Sequence, residues 1–214
     1  MLAAVALAAL AAACSGGDGG RDDTEPEATV TTDATPVHAE RTDPLPIVIP
    51  TPRELRWLGP DLEVPRSVTL AAAPGADEAA LAAATDALEA AGAEEVVAAA
   101  PEREGDVGDA LAASEAGAPG LTVVVGATTD PPVAAALEAA GVDVPGDLPA
   151  EGYALAAFGR RDGSATVVVG GADPAGTFYG AQTLRQLARD GAIAGVAVVD
   201  HPAMRHRGSI EGFY

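Results

Sequence analysis

The chain has 214 residues, of which 48% are hydrophobic but only 3% aromatic, and its 12 basic and 32 acidic side chains give a net charge of −20. Such an acidic balance argues against a nucleic-acid partner, because a phosphate backbone is bound by cationic side chains. It also disfavours electrostatic attraction to anionic lipid. A single cysteine excludes an internal disulfide framework and a cysteine-based zinc site.

The N-terminus has the pattern of an export signal. An apolar run, residues 2–13, is followed by Cys14 and Ser15-Gly-Gly. This order resembles a bacterial lipoprotein signal, in which the cysteine receives the lipid. The run is shorter than the about 20 residues that span a bilayer, and no Arg or Lys precedes it, which suggests that part of the signal lies upstream of Met1.

We therefore expect residues 1–13 to be a signal peptide and Cys14 to be the lipidation site. The protein is then exported, and it is either held at the cell membrane by the lipid alone or secreted. The alternative is an ordinary secretory signal with an incidental cysteine. Residues 14–45 consist mainly of Gly, Asp, Thr, Glu and Pro. They bury too little apolar surface to offset the entropy of ordering, which predicts a disordered acidic tether.

From residue 46 to residue 200, short β-branched runs alternate with segments of helical periodicity. The predicted strands are 46–50, 68–72, 95–99, 121–125, 152–158, 165–170 and 196–199. The predicted helices are 77–91, 132–140 and 174–189. This alternation predicts one α/β domain, with α+β as the alternative, in which helices pack on a mixed sheet.

Three local signals refine this interpretation. The continuous apolar run at 121–125 is typical of a strand buried on both faces. The Asp162-Gly163 pair predicts a hairpin between 152–158 and 165–170. Asp173 suits the N-cap of the third helix and Pro174 its first position, with Gly191 just past its end.

Few residues suggest chemistry. The glycine-rich stretch 167–176 has the outline of a phosphate cradle, but its spacing is neither Gly-x-Gly-x-x-Gly nor a P-loop. We therefore attribute its glycines to a tight turn and to close helix packing at Gly176 and Gly180. His201 and His206 have no ligand partners at metal-binding spacing, so no metal site is expected there.

Two further candidates receive structural interpretations. Asp200 and His201 suggest a catalytic dyad, but adjacent residues on a strand point to opposite faces. Trp57 could stack on a sugar, although a lone tryptophan near the start of a domain more often packs into the core. No pair of carboxylates is placed for acid–base catalysis, so no catalytic residue is assigned.

Two blocks of sequence resemble known proteins. Glu151-Gly-Tyr153, Gly171-x-Asp173 and Gly176-Thr-Phe-Tyr-Gly-Ala-Gln-Thr-Leu-Arg-Gln-Leu187 are similar to the N-terminal domain that precedes the barrel in bacterial hexosaminidases of glycoside hydrolase families 20 and 84. Arg207-Gly-Ser-Ile-Glu-Gly-Phe-Tyr214 resembles the first barrel strand of family 84, whose usual pattern is Arg-Gly-Val-Ile-Glu-Gly-Phe-Tyr-Gly.

The resemblance implies that residues 46–200 form this N-terminal domain and that 201–214 begin a (β/α)8 barrel that is cut short. Active sites of such barrels form at the C-terminal ends of the strands. In family 84 the glycine that matches Gly212 contacts the sugar, so the resemblance makes Gly212 the candidate substrate-binding residue. The alternative for Gly212 is a glycine that only permits a bend.

The implied activity is removal of terminal β-linked N-acetylglucosamine with retention, in which the acetamido oxygen of the substrate is the nucleophile. The resemblance implies neither a metal nor an organic cofactor. The resemblance places the two catalytic aspartates beyond Tyr214, so this chain alone is expected to be inactive. The expected partners are a glycan containing N-acetylglucosamine and the chain's own downstream barrel. The alternatives are a family 20 enzyme and a non-catalytic surface lipoprotein that binds glycan or cell wall.

Overall fold

A computed structural model of the protein describes residues 36–39, 41–74, 76–99, 120–204 and 206–208. The strands are β1 (Glu54–Trp57), β2 (Leu62–Glu63), β3 (Ser67–Ala72), β4 (Glu95–Ala99), β5 (Leu121–Ala127), β6 (Tyr153–Gly159), β7 (Ala165–Gly171), β8 (Ala188–Arg189), β9 (Ala192–Ile193) and β10 (Val196–Asp200). The helices are α1 (Glu78–Ala90), α2 (Pro131–Ala139) and α3 (Pro174–Leu187).

Seven strands form one mixed sheet in the order β1-β10-β6-β7-β5-β3-β4. Strands β4, β3, β5 and β7 run parallel, and β7, β6, β10 and β1 are successively antiparallel. Strands β2, β9 and β8 form a separate small sheet. The α/β fold with a mixed sheet and packed helices, predicted from the sequence, is thereby confirmed.

The sheet is covered by helices on both faces. Val123 and Val125 of β5 belong to the larger core cluster, which also contains the buried faces of α1 and α3. Val124 belongs to the second cluster, together with the buried face of α2. Since successive strand residues point to opposite faces, a strand with no polar face must be sandwiched, as the sequence of 121–125 predicts.

The structure differs from the predicted elements in two regions, near residues 46–57 and after helix α3. Residues 46–50 form no strand; Ile47 and Ile49 are 77% and 73% exposed, whereas Val48 between them is buried. Strand β1 follows instead. Helix α3 ends at Leu187, and Gly191 lies in the β8–β9 turn. Asp190 and Gly191 have φ of 54° and 80°, the left-handed pair that a two-residue hairpin needs, so Gly191 is not a helix stop.

The turn from β7 into α3 depends on close contact between backbones. A Cβ on Gly176 would lie 2.1 Å from the carbonyl oxygen of Gly152, and one on Gly180 would lie 2.7 Å from Val169. The close packing predicted for Gly176 and Gly180 is confirmed. It brings the first turn of α3 against the start of β6, which is where the candidate site begins.

We expect Gly176→Ala to lower the free energy of unfolding by about 2–3 kcal/mol, since the added methyl group meets backbone rather than a movable side chain. The thermal midpoint of the 214-residue chain should fall by roughly 5–10 °C. Gly146→Ala is the matched control, because a Cβ there meets nothing within 4 Å. Equal midpoints for the two variants would show that the close approach at Gly176 is not needed.

Candidate functional site

A cleft of about 580 Å³ opens where β10 ends and β6 begins. Its walls are residues 49–51 and Arg53, one side of α3, residues 200–204 and Arg207, with Glu151 and Tyr153 at its edge and floor. Three of its large apolar side chains are exposed: Ile49, Tyr179 (39%) and Met204 (64%). We call this the β10 cleft. It combines convergent polar groups with apolar surface, as binding sites do.

Asp173 joins the two chain segments that form the base of the cleft. One carboxylate oxygen accepts a hydrogen bond from the Gly176 N–H at 2.8 Å, which confirms the predicted N-cap of α3. The other oxygen accepts from the Glu151 N–H, also at 2.8 Å. One side chain therefore caps the helix and fixes the residue before β6, satisfying two N–H groups that have no partner within the helix or the strand.

Glu151 has an unusual backbone conformation. Its φ is +64°, in the left-handed region that costs a residue with a Cβ about 1–2 kcal/mol relative to its usual conformation. Its carboxylate is paired with the guanidinium of Arg207, which lies 56 residues later in the chain. The cleft thus ties the start of β6 to the chain that leaves β10.

Arg207 is held by more than one group. Besides the Glu151 carboxylate, its guanidinium donates to the carbonyl oxygen of Met204 at 2.8 Å. The hydrogen bond to Glu151, with a further contribution from the Tyr179 hydroxyl, raises the pKa of Arg207 above its ordinary value. Arg207 therefore stays cationic and serves as an anchor, and it is not placed to act as an acid or a base.

Tyr153 forms the buried floor of the cleft. Its hydroxyl shares a hydrogen bond of 2.7 Å with the hydroxyl of Thr183 on α3. Burial, with the nearby Asp200 carboxylate as a smaller cause, raises the pKa of Tyr153 to about 12. The phenol remains protonated at neutral pH, so it links β6 to α3 and supplies no base.

Asp200 and His201 both accept hydrogen bonds from Arg53. Asp200 accepts from the Arg53 N–H at 3.2 Å, and the carbonyl oxygen of His201 accepts from the Arg53 side chain at 3.2 Å. Both residues border the same cleft. The imidazole lies next to the Pro202 carbonyl oxygen and not next to the Asp200 carboxylate.

Gln186 explains why the apolar run at 46–50 is not a strand. Its side-chain carbonyl accepts from the Ile49 N–H at 2.8 Å, and its amide nitrogen donates to the Ile49 carbonyl at 3.0 Å. One side chain of α3 thus replaces a neighbouring strand as the hydrogen-bonding partner of Ile49. This places the exposed Ile49 side chain at the rim of the cleft.

Trp57 lies elsewhere and is covered. It packs against the main core, and its indole N–H donates to the Asp43 carbonyl oxygen at 3.1 Å. The Arg41 guanidinium lies 3.9 Å above the ring and pairs with the Asp43 and Asp61 carboxylates at 3.0 and 2.6 Å. The core interpretation of Trp57 therefore holds, with one ring face occupied by Arg41. These contacts also show that described residues of the predicted tether pack on the domain.

The two site residues predicted from the sequence, Cys14 and Gly212, lie outside the described residues. Within the described part of the chain, no group of three or more His, Cys, Asp or Glu could hold a metal ion. No helix in that part is both long and apolar enough to cross a membrane. The Glu151–Arg207 pair was not predicted, since no local pattern joins residues 56 positions apart.

The charged and phenolic groups of the β10 cleft described above each contact a partner within the domain. Among the described residues that line the cleft, no nucleophile lies beside a free base. The domain has a three-layer α/β architecture. After its last strand, β10, the chain reaches Arg207, which pairs with Glu151 at the rim of the cleft.

The same fold occurs in solved structures of glycoside hydrolases. CpGH84B is 20% identical with a TM-score of 0.55 over 78% of this chain, and CpGH84D is 15% identical with a TM-score of 0.60 over 78%. A glycoside hydrolase family 20 β-N-acetylglucosaminidase is 24% identical over 76% of this chain, with a TM-score of 0.42 that is too low to support an inference. The chain spans about a quarter of the length of these proteins, 25%, 26% and 24%.

The family itself follows from the sequence comparison. Residues 45–201 match the family described as glycosyl hydrolase family 20, domain 2, and this match covers well over half of the chain. The chain belongs to that family of domains.

Proposed function

We propose that this chain is the N-terminal part of an exported glycoside hydrolase that removes terminal β-linked N-acetylglucosamine. The observation that carries the proposal is the family match over residues 45–201. The fold shared with CpGH84B and CpGH84D supports it. The resemblance of residues 207–214 to the first barrel strand of family 84 supports a barrel enzyme of that family.

In this proposal the substrate's own acetamido oxygen attacks the anomeric carbon. The nucleophile is already tethered to the reacting sugar, so its effective concentration is high. One aspartate of the barrel orients and polarises the acetamide, and a second acts as general acid and then as general base. We propose, from the resemblance, that both aspartates lie after Tyr214 and that Gly212 contacts the sugar.

The domain described by the structure then supports the barrel. The exposed Ile49, Tyr179 and Met204 side chains surround the point where the chain passes Arg207. This apolar rim is the surface against which we expect the downstream barrel to pack. Among the alternatives, a family 20 enzyme shares the same accessory domain, and an Asp-Glu pair in place of Asp-Asp in the downstream sequence would identify it.

The first test is activity of the protein encoded by the gene read through Tyr214. It should release 4-nitrophenol from 4-nitrophenyl N-acetyl-β-glucosaminide, and kcat/KM should fall steadily as fluorine replaces hydrogen in the acetyl group. Fluorine withdraws electrons from the acetamido oxygen and makes it a poorer nucleophile. The 214-residue chain is the control and should release nothing.

Three results would contradict all or part of the proposal. Turnover by the 214-residue chain would place catalysis in this domain. No turnover by the longer protein would leave a non-catalytic glycan-binding role. A rate that does not respond to fluorination would exclude the acetamido nucleophile while leaving the substrate class intact.

A second proposal concerns location: we propose that Cys14 carries a lipid that anchors the protein to the cell membrane. The support is the order of apolar run, cysteine and small residues at 2–17. Expressed in a bacterial host with its native upstream codons, the protein should incorporate an alkyne-labelled fatty acid and sediment with membranes. Cys14→Ser should abolish both, and Ser15→Ala should change neither. Labelling that survives Cys14→Ser would refute the site.

A further inference from the structure

Glu151 combines a costly backbone conformation with a distant partner. Among the described residues, two that are not glycine have positive φ, Glu151 and Asp190. Asp190 is easily explained, because aspartate is one of the residues that tolerate this conformation and it sits in a hairpin turn. Glutamate is not among them. Four glycines of the described chain already occupy such positions, at 92, 141, 163 and 191.

The backbone contacts of Glu151 do not explain the choice of residue. Its N–H donates to Asp173, but a glycine would donate equally well and would remove the cost of the Cβ. What a glycine would lose is the side chain. That side chain meets Arg207 across the rim of the β10 cleft, with the two side chains 32% and 37% exposed.

The ion pair between Glu151 and Arg207 matters because of where Arg207 lies in the chain. Arg207 lies seven residues after the end of β10, immediately before Gly208. A Cβ on Gly208 would meet nothing within 4 Å, so a side chain at this position would have no neighbour to pack against. The guanidinium of the preceding residue, Arg207, contacts the Glu151 carboxylate and the Met204 carbonyl oxygen, and these contacts hold the chain at this point.

We propose that Glu151 is a positioning residue: its carboxylate holds Arg207 and so sets the direction in which the chain leaves the domain toward residues 209–214. The inference rests on the proposed function, in which that segment opens the barrel and carries Gly212. Strain that persists in a folded protein is held there by the surrounding contacts. Here Glu151 keeps its left-handed backbone conformation, and its side chain forms the ion pair with Arg207.

The restraint that Glu151 places on Arg207 can be tested on the 214-residue chain with trypsin, which cleaves after Arg207. Glu151→Gln should speed the release of the peptide Gly208–Tyr214 by about tenfold, as expected if a restraint of about 1.4 kcal/mol is lost. Asp190→Gly is the matched control, since it relieves the other left-handed residue away from the cleft and should leave this rate unchanged. Equal rates of peptide release from the wild type and from Glu151→Gln would show that the Glu151 carboxylate does not restrain Arg207.

Stability separates positioning from a structural role. Glu151→Gly should unfold at the wild-type temperature or above it, because it removes the conformational cost while the N–H to Asp173 remains. Yet it should release the C-terminal peptide as fast as Glu151→Gln does. A midpoint lowered by several degrees in Glu151→Gly, with cleavage that follows the loss of stability, would show that Glu151 only stabilises the domain.

Kinetics of the longer protein complete the test. Glu151→Gln should lower kcat/KM for the aryl N-acetylglucosaminide severalfold, mainly by raising KM. Glu151→Arg combined with Arg207→Glu should recover part of the loss relative to either single variant. An active protein whose Glu151→Gln variant keeps wild-type kcat/KM overturns the positioning role alone. A longer protein that hydrolyses nothing overturns the proposed function and the positioning role with it.

Discussion

The carboxylate of Asp173 is the constraint on which the site depends. Its two oxygens bind the N–H groups of Gly176 and Glu151 at 2.8 Å each, and so they lock the first turn of α3 to the residue before β6. Once those segments are joined, Gly176 must lie against the Gly152 carbonyl, where no side chain fits. Glu151 is then held in its left-handed conformation with its side chain toward Arg207. The β10 cleft is the result of this one junction.

The junction also gives a physical meaning to the sequence blocks that resemble hexosaminidases. Glu151-Gly-Tyr153 and the helix start that contains Asp173 and Gly176 are separate segments of the chain, but they meet at the base of one cleft. Tyr153 continues the connection by bonding Thr183 on α3, and Arg207 extends it to the chain beyond β10. None of these groups is free to perform acid–base chemistry.

Much of the fold was predictable because its signals are local. The β-branched run at 121–125, the Asp-Gly hairpin turn and the Asp173-Pro174 helix start each depend on neighbouring residues, and each is found. The errors arise where distant residues decide. Gln186 satisfies the Ile49 backbone and removes the strand predicted at 46–50. The Glu151–Arg207 pair and the cover of Trp57 by Arg41 likewise join residues that no periodicity connects, so the sequence alone predicts neither.

The most direct test of the central claim compares Asp173→Ala, Asp173→Asn and Asp77→Ala by chemical unfolding of the 214-residue chain. Asp77 also precedes a helix, α1, but its side chain makes no cap hydrogen bond. Asp173→Ala should lose about 2 kcal/mol, since one cap bond and one further N–H partner disappear. Asp173→Asn retains one acceptor and should lose about half of that. Asp77→Ala should stay within about 0.5 kcal/mol of the wild type. If Asp173→Ala and Asp77→Ala were equally stable, the junction would not hold this site together.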